Sequence, residues 1–234
     1  MLPDIPPWEF QKPKMNYDMH SGKKGDSDPF DYQIAFQNIL AEYHDHEFIY
    51  TDGSKDGNKV GYGLVYMRHI LKKRLPSTCS IYTAELKAIL HALKFVEKLH
   101  KYKFLICVDS LSALQAIEHK NIHNPIILDI ITQLHNLASR GMIVAFCWVP
   151  SHVDILGNER ADKAAKAALE LKVSQTEIPY SDYKAIINSF IRLHWQLDWN
   201  ELVDNKLHRI KPDLGGLIMY SQAPRRDQIV FTLT

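Results

Sequence analysis

Five consecutive apolar residues, Phe104-Leu105-Ile106-Cys107-Val108, run straight into the pair Asp109-Ser110. A strand with no polar alternation is covered on both faces, which calls for a sheet with helices on either side. An earlier run, Phe48-Ile49-Tyr50-Thr51, likewise ends in Asp52, followed by Gly53 and Ser54. Each run reads as a strand that delivers a carboxylate to a sheet edge, and the run ending at Asp52 passes at once into turn chemistry at Gly53.

Around these two strands the pattern alternates. Val60 to Tyr66 and His69 to Leu75 are expected to be strands joined by short turns to the Phe48 run, forming an antiparallel meander. A helix follows, capped by Thr83, with the apolar stripe Leu86, Ile89, Leu90, Leu93 and Val96 and with Glu85 in its first turn. After Asp109 come a helix through Leu111, Leu114 and Ile117 and a second that opens on Asn124-Pro125 and closes at Gly141. Met142 to Val149 is another buried strand. Beyond the loop Pro150 to Gly157, Asn158 opens a last helix, Glu159 to Leu169, with Asp162 one turn in. Strands alternating with helices after a meander predict an α/β fold, a mixed sheet with helices on both faces. Ligands of such sheets gather beyond the carboxyl ends of the parallel strands, where Asp52 and Asp109 are expected.

Outside this region the chain changes character. Residues 1–46 read as a tether, broken by Pro3, Pro6, Pro7, Pro13 and Pro29 and by the polar stretch 21–28, with a short helix expected over Gln33 to Tyr43. Residues 47–171 form the predicted domain. Residues 172–234 read as a helical tail, amphipathic from Ser181 to Leu202, whose ending Ile229 to Thr234 stops inside a strand-like run, as in a chain cut from a longer polyprotein. No apolar stretch is long enough to span a bilayer and the start lacks a secretion signal, so an intracellular protein with no membrane partner is expected, in cytoplasm or nucleus. Cys79, Cys107 and Cys147 show no C-x-x-C spacing and read as buried thiols, not as a disulfide or zinc framework. His44 and His46 lack further ligands nearby and read as exposed polar residues. The net charge of +1 carries no electrostatic argument for nucleic acid, although 48–171 is locally more basic.

Asp52, Glu85, Asp109 and Asp162 thus fall at strand ends and helix starts that face one edge. Carboxylates crowded together repel and raise each other's pKa unless a cation neutralises them. Hard oxygen ligands favour Mg²⁺ or Mn²⁺ over zinc, and two such ions roughly 4 Å apart promote in-line displacement at a phosphodiester. The four acids are therefore read as one divalent-metal site that cuts a nucleic-acid backbone.

The segments YTDGS (50–54), YTAELKAI (82–89), VDSLSALQAI (108–117) and WVPSHVDILGNERAD (148–162) resemble, in order, the four motifs of type 1 ribonuclease H, and in particular the branch found in non-LTR retrotransposon polyproteins. The resemblance spans about 47–171. It implies a five-stranded mixed sheet, three strands in an antiparallel meander and two parallel, with helices on both faces. It implies endonucleolytic hydrolysis of the RNA strand of RNA–DNA hybrids, two Mg²⁺ ions (Mn²⁺ as the substitute), and a reverse transcriptase domain of the same polyprotein as a partner. Carried over by motif, Asp52, Glu85, Asp109 and Asp162 are the metal ligands and His152 assists proton transfer or product release. The chain departs from the cellular branch in three places. Ile81-Tyr82 replaces an Asn pair, Asn121 to Pro125 replaces a basic protrusion, and Asp154 stands where a glycine is usual. Asp154 and the missing protrusion leave one rival, a catalytically silent relic that binds nucleic acid or a protein partner; a second keeps the fold and changes the substrate, for example a DNA exonuclease.

Overall fold

The computed structural model describes residues 6, 9–10, 12–20 and 29–214, so the polar stretch 21–28 and the strand-like ending 229–234 lie outside the described residues. The chain forms two compact units, 1–182 and 183–234.

The first unit is built on a six-stranded mixed sheet of β1 (Lys14–Asn16), β2 (Glu47–Asp56), β3 (Lys59–Tyr66), β4 (His69–Leu75), β5 (Lys103–Val108) and β6 (Ile143–Trp148), in the order β1-β6-β5-β2-β3-β4. β2, β3 and β4 are the antiparallel meander; β2, β5, β6 and β1 run parallel. The mixed sheet expected from the sequence is therefore present, with one strand more. β1 comes from the N-terminal segment, whose short extended piece finds an unpaired edge on β6 and satisfies its backbone groups there.

The apolar run of β5 is covered on both sides, as its lack of alternation requires. Phe104, Ile106 and Val108 face α2 (Ile81–Val96), α3 (Leu111–Glu118) and α4 (Pro125–Ser139). Leu105 and Cys107 face the other way, into a cluster with Phe36 and Ile39 of α1 (Pro29–Glu42) and with Tyr43 just beyond it. α5 (Leu156–Ala168) covers the meander on that second face. It sits close because β3 offers no side chain at Gly63, where a Cβ would lie 2.7 Å from the Ala164 Cβ. All three cysteines are buried and free.

Helix boundaries moved where local hydrogen bonding outweighed pattern. α2 is capped by Ser80, whose Oγ accepts from the Thr83 amide at 3.1 Å, so Thr83 lies inside the helix and not at its cap. α5 starts at Leu156, which leaves Asn158 buried inside its first turn instead of capping it. β2 continues past Asp52 to Asp56, and the turn falls at Gly57, with φ of 54°. The Asn124 cap with Pro125 at the first helical position of α4 is as expected.

In the second unit, α6 (Tyr180–Glu201), which begins in the first, is followed by α7 (Lys206–Ile210). The Trp199 indole donates to Lys211 O at 2.8 Å, and Gln196 Nε2 donates to Pro212 O, so the chain after α7 is tied back to α6. No helix among the described residues is long and apolar enough to cross a membrane.

The α1 helix supplies core as well as connection. Phe36 is 6% exposed and its ring meets those of Phe48 and Tyr50 at centroid separations of 6.4 Å. Replacing Phe36 by Ala is expected to cost about 3 kcal/mol through lost burial and the cavity left behind. Urea denaturation measures it; an unchanged midpoint would show that α1 adds nothing to the core.

Candidate functional site

Parallel pairing of β2 with β5 runs in register to Thr51↔Val108. The next residue on each strand is an acid, so Asp52 and Asp109 emerge side by side where the shared ladder stops. Glu85 reaches the same place from the first turns of α2. This approach depends on Gly53, because a Cβ there would lie 2.9 Å from both the amide nitrogen and Oε1 of Glu85. Ligand oxygens of Asp52, Glu85 and Asp109 all lie within 4.8 Å of one another.

Asp162 belongs to an adjoining group. Its carboxylate lies within 4.8 Å of ligand atoms of His152 and Glu159, and Oδ2 accepts a bond of 2.8 Å from Lys166, one helical turn on. Three of the four acids grouped by sequence thus share one cluster, and the fourth stands next to it with His152. Glu159 joins Asp162 because residues three apart on a helix are neighbours.

Burial and mutual repulsion set the electrostatics. Asp52, only 5% exposed, is pushed up to about 8, first by burial and then by the charges of Asp109 and Asp162, against the Gly53 amide and Lys166. Glu85 is held well above the usual carboxylate range by burial and by the charges of Asp109 and Asp52. Asp109 is raised by burial, and hydrogen bonding by the Ser151 hydroxyl opposes the rise.

The residues fit a divalent cation. Oε2 of Glu85 is buried and has no hydrogen-bond partner, a costly state for a carboxylate oxygen unless a ligand satisfies it. The donor set is all oxygen, suited to Mg²⁺ or Mn²⁺. Among the described residues, His44 and His46 join neither cluster.

The β6–α5 loop closes one side of the site. Trp148 Nε1 donates to the Asp109 carbonyl at 3.0 Å, and Ser151 Oγ donates to Asp109 Oδ2 at 2.9 Å. His152 and Asp154 are both left-handed, each with φ of 60°, a conformation that favours glycine. Val153 and Ile155 are anchored in the core cluster that holds Phe36, and Gln33 Nε2 donates to Val153 O at 3.4 Å. A cleft of about 240 Å³ opens beside Glu85 and Asp109, lined also by Ile81, Tyr82, Ser110, Ser112 and Ser151. Ser151 carried no signal of its own in the sequence, since a loop serine beside a proline is ordinary turn chemistry.

The family model for RNase H matches residues 44–170. No curated protein matches the chain. The matched segment contains both acid clusters and the loop between them, and it begins after α1 and β1.

With the metal absent, the raised value of Asp52 means that the folded protein holds more protons than the unfolded chain between about pH 4 and about pH 8. The stability this contributes is complete below that window and is lost as pH rises through its upper end. Metal-free protein is therefore expected to melt at lower temperature at pH 8 than at pH 5, with the slope reduced in Asp52→Asn. Mg²⁺ is expected to raise Tm more at pH 8, where it competes with fewer protons. Scanning calorimetry in chelator and in Mg²⁺ tests both, and equal pH slopes for wild type and variant would contradict them.

Proposed function

Since the chain belongs to the ribonuclease H family, we propose that it cleaves the RNA strand of RNA–DNA hybrids endonucleolytically, using divalent ions held by Asp52, Glu85 and Asp109 with Asp162 beside them. The observation that carries this reading is the convergence of three carboxylates, one with an unpartnered buried oxygen, at the edge of an open cleft.

When bound, two Mg²⁺ ions would supply the charge that activates water, orients the scissile phosphate and stabilises the leaving oxygen. The chain's own residues do the rest. Asp52 is held by the sheet ladder and Glu85 by the start of α2, so neither needs to reorganise. Asp109 is fixed by two donors, from Trp148 and Ser151. His152 is exposed on its loop beside Glu159 and Asp162, where an imidazole can take or give a proton as product forms. Ile81 and Tyr82 line the cleft where the cellular branch carries an Asn pair, and Ser110 and Ser112 offer hydroxyls there that a ribose hydroxyl could meet.

The motif wording supports a retroelement setting, with a reverse transcriptase domain of the same polyprotein as partner. α3 ends at Glu118 and α4 begins at Pro125, and this short link offers little positive charge to a duplex. The partner would then supply much of the grip on the hybrid, and the isolated chain would bind it weakly.

Incubation with matched RNA–DNA hybrid, duplex DNA and duplex RNA tests the reading. Expected are RNA fragments from the hybrid alone, dependence on Mg²⁺, and a rate more than about 100-fold lower for Asp109→Asn, since even residues supporting a metal ligand cost up to that much. A folded, Mg²⁺-supplied wild type that leaves the hybrid intact would favour a silent binding domain, and cleavage of duplex DNA would favour the alternative nuclease.

A further inference from the structure

Asp109 is held at two points, by the last residue of β6 and by the loop that follows it. Trp148 Nε1 binds its main-chain oxygen and Ser151 Oγ binds its carboxylate, at 3.0 and 2.9 Å. A hydroxyl proton occupies one acceptor site of Oδ2, which leaves Oδ1 and the remaining Oδ2 lone pair for a cation, and an oxygen of this carboxylate lies within 4.8 Å of oxygens of Asp52 and Glu85. The carboxyl torsion of an aspartate is otherwise broad and nearly two-fold, so an external donor decides which edge it presents.

The same bond works in the other direction. His152 and Asp154 adopt left-handed backbone, a costly choice for residues with a Cβ that persists only where the surroundings determine it. The far half of the loop has such support, from the buried Val153 and Ile155 and from Gln33. The exposed near half, Ser151-His152, is tied down by Asp109.

We infer that Ser151 is a positioning residue that acts through Asp109: it aims the carboxylate at the acid cluster and links cation loading to the placement of the loop that carries His152. This rests on the reading of Asp52, Glu85 and Asp109 as a divalent-metal site. Coupling of this kind is reciprocal, so a cation that fixes Asp109 also fixes the loop, and removal of the hydroxyl weakens both. Ser151 is exposed and buries no core surface, so its replacement leaves the fold in place.

The experiment compares the full chain with Ser151→Ala and Ser151→Thr, without nucleic acid. Mg²⁺ titration calorimetry is expected to show binding about 10-fold weaker for Ser151→Ala, the lower end of what support of a metal ligand is worth, and near wild type for Ser151→Thr, which retains the hydroxyl. Amide exchange across residues 150–155 is expected to slow on addition of Mg²⁺ in the wild type and in Ser151→Thr, and to respond much less in Ser151→Ala. Unchanged Mg²⁺ affinity in Ser151→Ala, an undiminished loop response there, or an equal loss in Ser151→Thr would each overturn the inference. Wild type that binds no Mg²⁺ would overturn it together with the metal reading, whereas wild type that passes both measurements and leaves hybrid uncut would remove the nuclease reading alone.

Discussion

Repulsion between carboxylates is the constraint to which the rest of the first unit answers. Parallel pairing of β2 and β5 in a register ending at Thr51↔Val108 forces Asp52 and Asp109 to emerge together, and the first turns of α2 add Glu85. Burial first, and then the neighbouring carboxylate charges, raise Asp52 and Glu85, which marks the cost of holding such groups together. Only a rigid scaffold holds such groups together while no cation is present. The sheet supplies it, with β5 covered on both faces and α2 packed along the meander.

The neighbouring elements contribute to the same balance. Lys166 pairs with Asp162 and its charge also reaches Asp52. Trp148 at the end of β6 and Ser151 in the β6–α5 loop hold Asp109, and α1 holds that loop in turn through the cluster containing Phe36, Val153 and Ile155. The N-terminal segment therefore bears on the site although it lies before the residues matched by the family. Its helix covers β5 and β6 on the face that α5 leaves open, and its strand takes the edge of β6.

Legibility in the sequence followed the range of the forces involved. Strands and helices between Phe48 and Leu169 were readable because hydrophobic periodicity is a local record of burial. The individual acids stood out because Asp52 and Asp109 each end an apolar run and Glu85 lies about one turn into a helix. Finer placement was not. The Ser80 cap, the start of α5 at Leu156 and the continuation of β2 beyond Asp52 were settled by hydrogen bonds and pairing partners distant in sequence, or by competition among adjacent candidates. The short β1 has too few residues to show periodicity at all, and its strand character comes from β6.

The sequence by itself determined the mixed α/β sheet and the identity of the acids, because apolar runs that end in carboxylates leave few ways to bury the one and expose the other. Tertiary structure alone decided which acids meet. Asp162 stands with His152 and Glu159 in an adjoining group, since α5 is seated by close contact between Gly63 and Ala164 and so fixes how far its first turns reach. It also decided that an unremarked loop serine touches Asp109, a contact across 42 residues that no local pattern encodes.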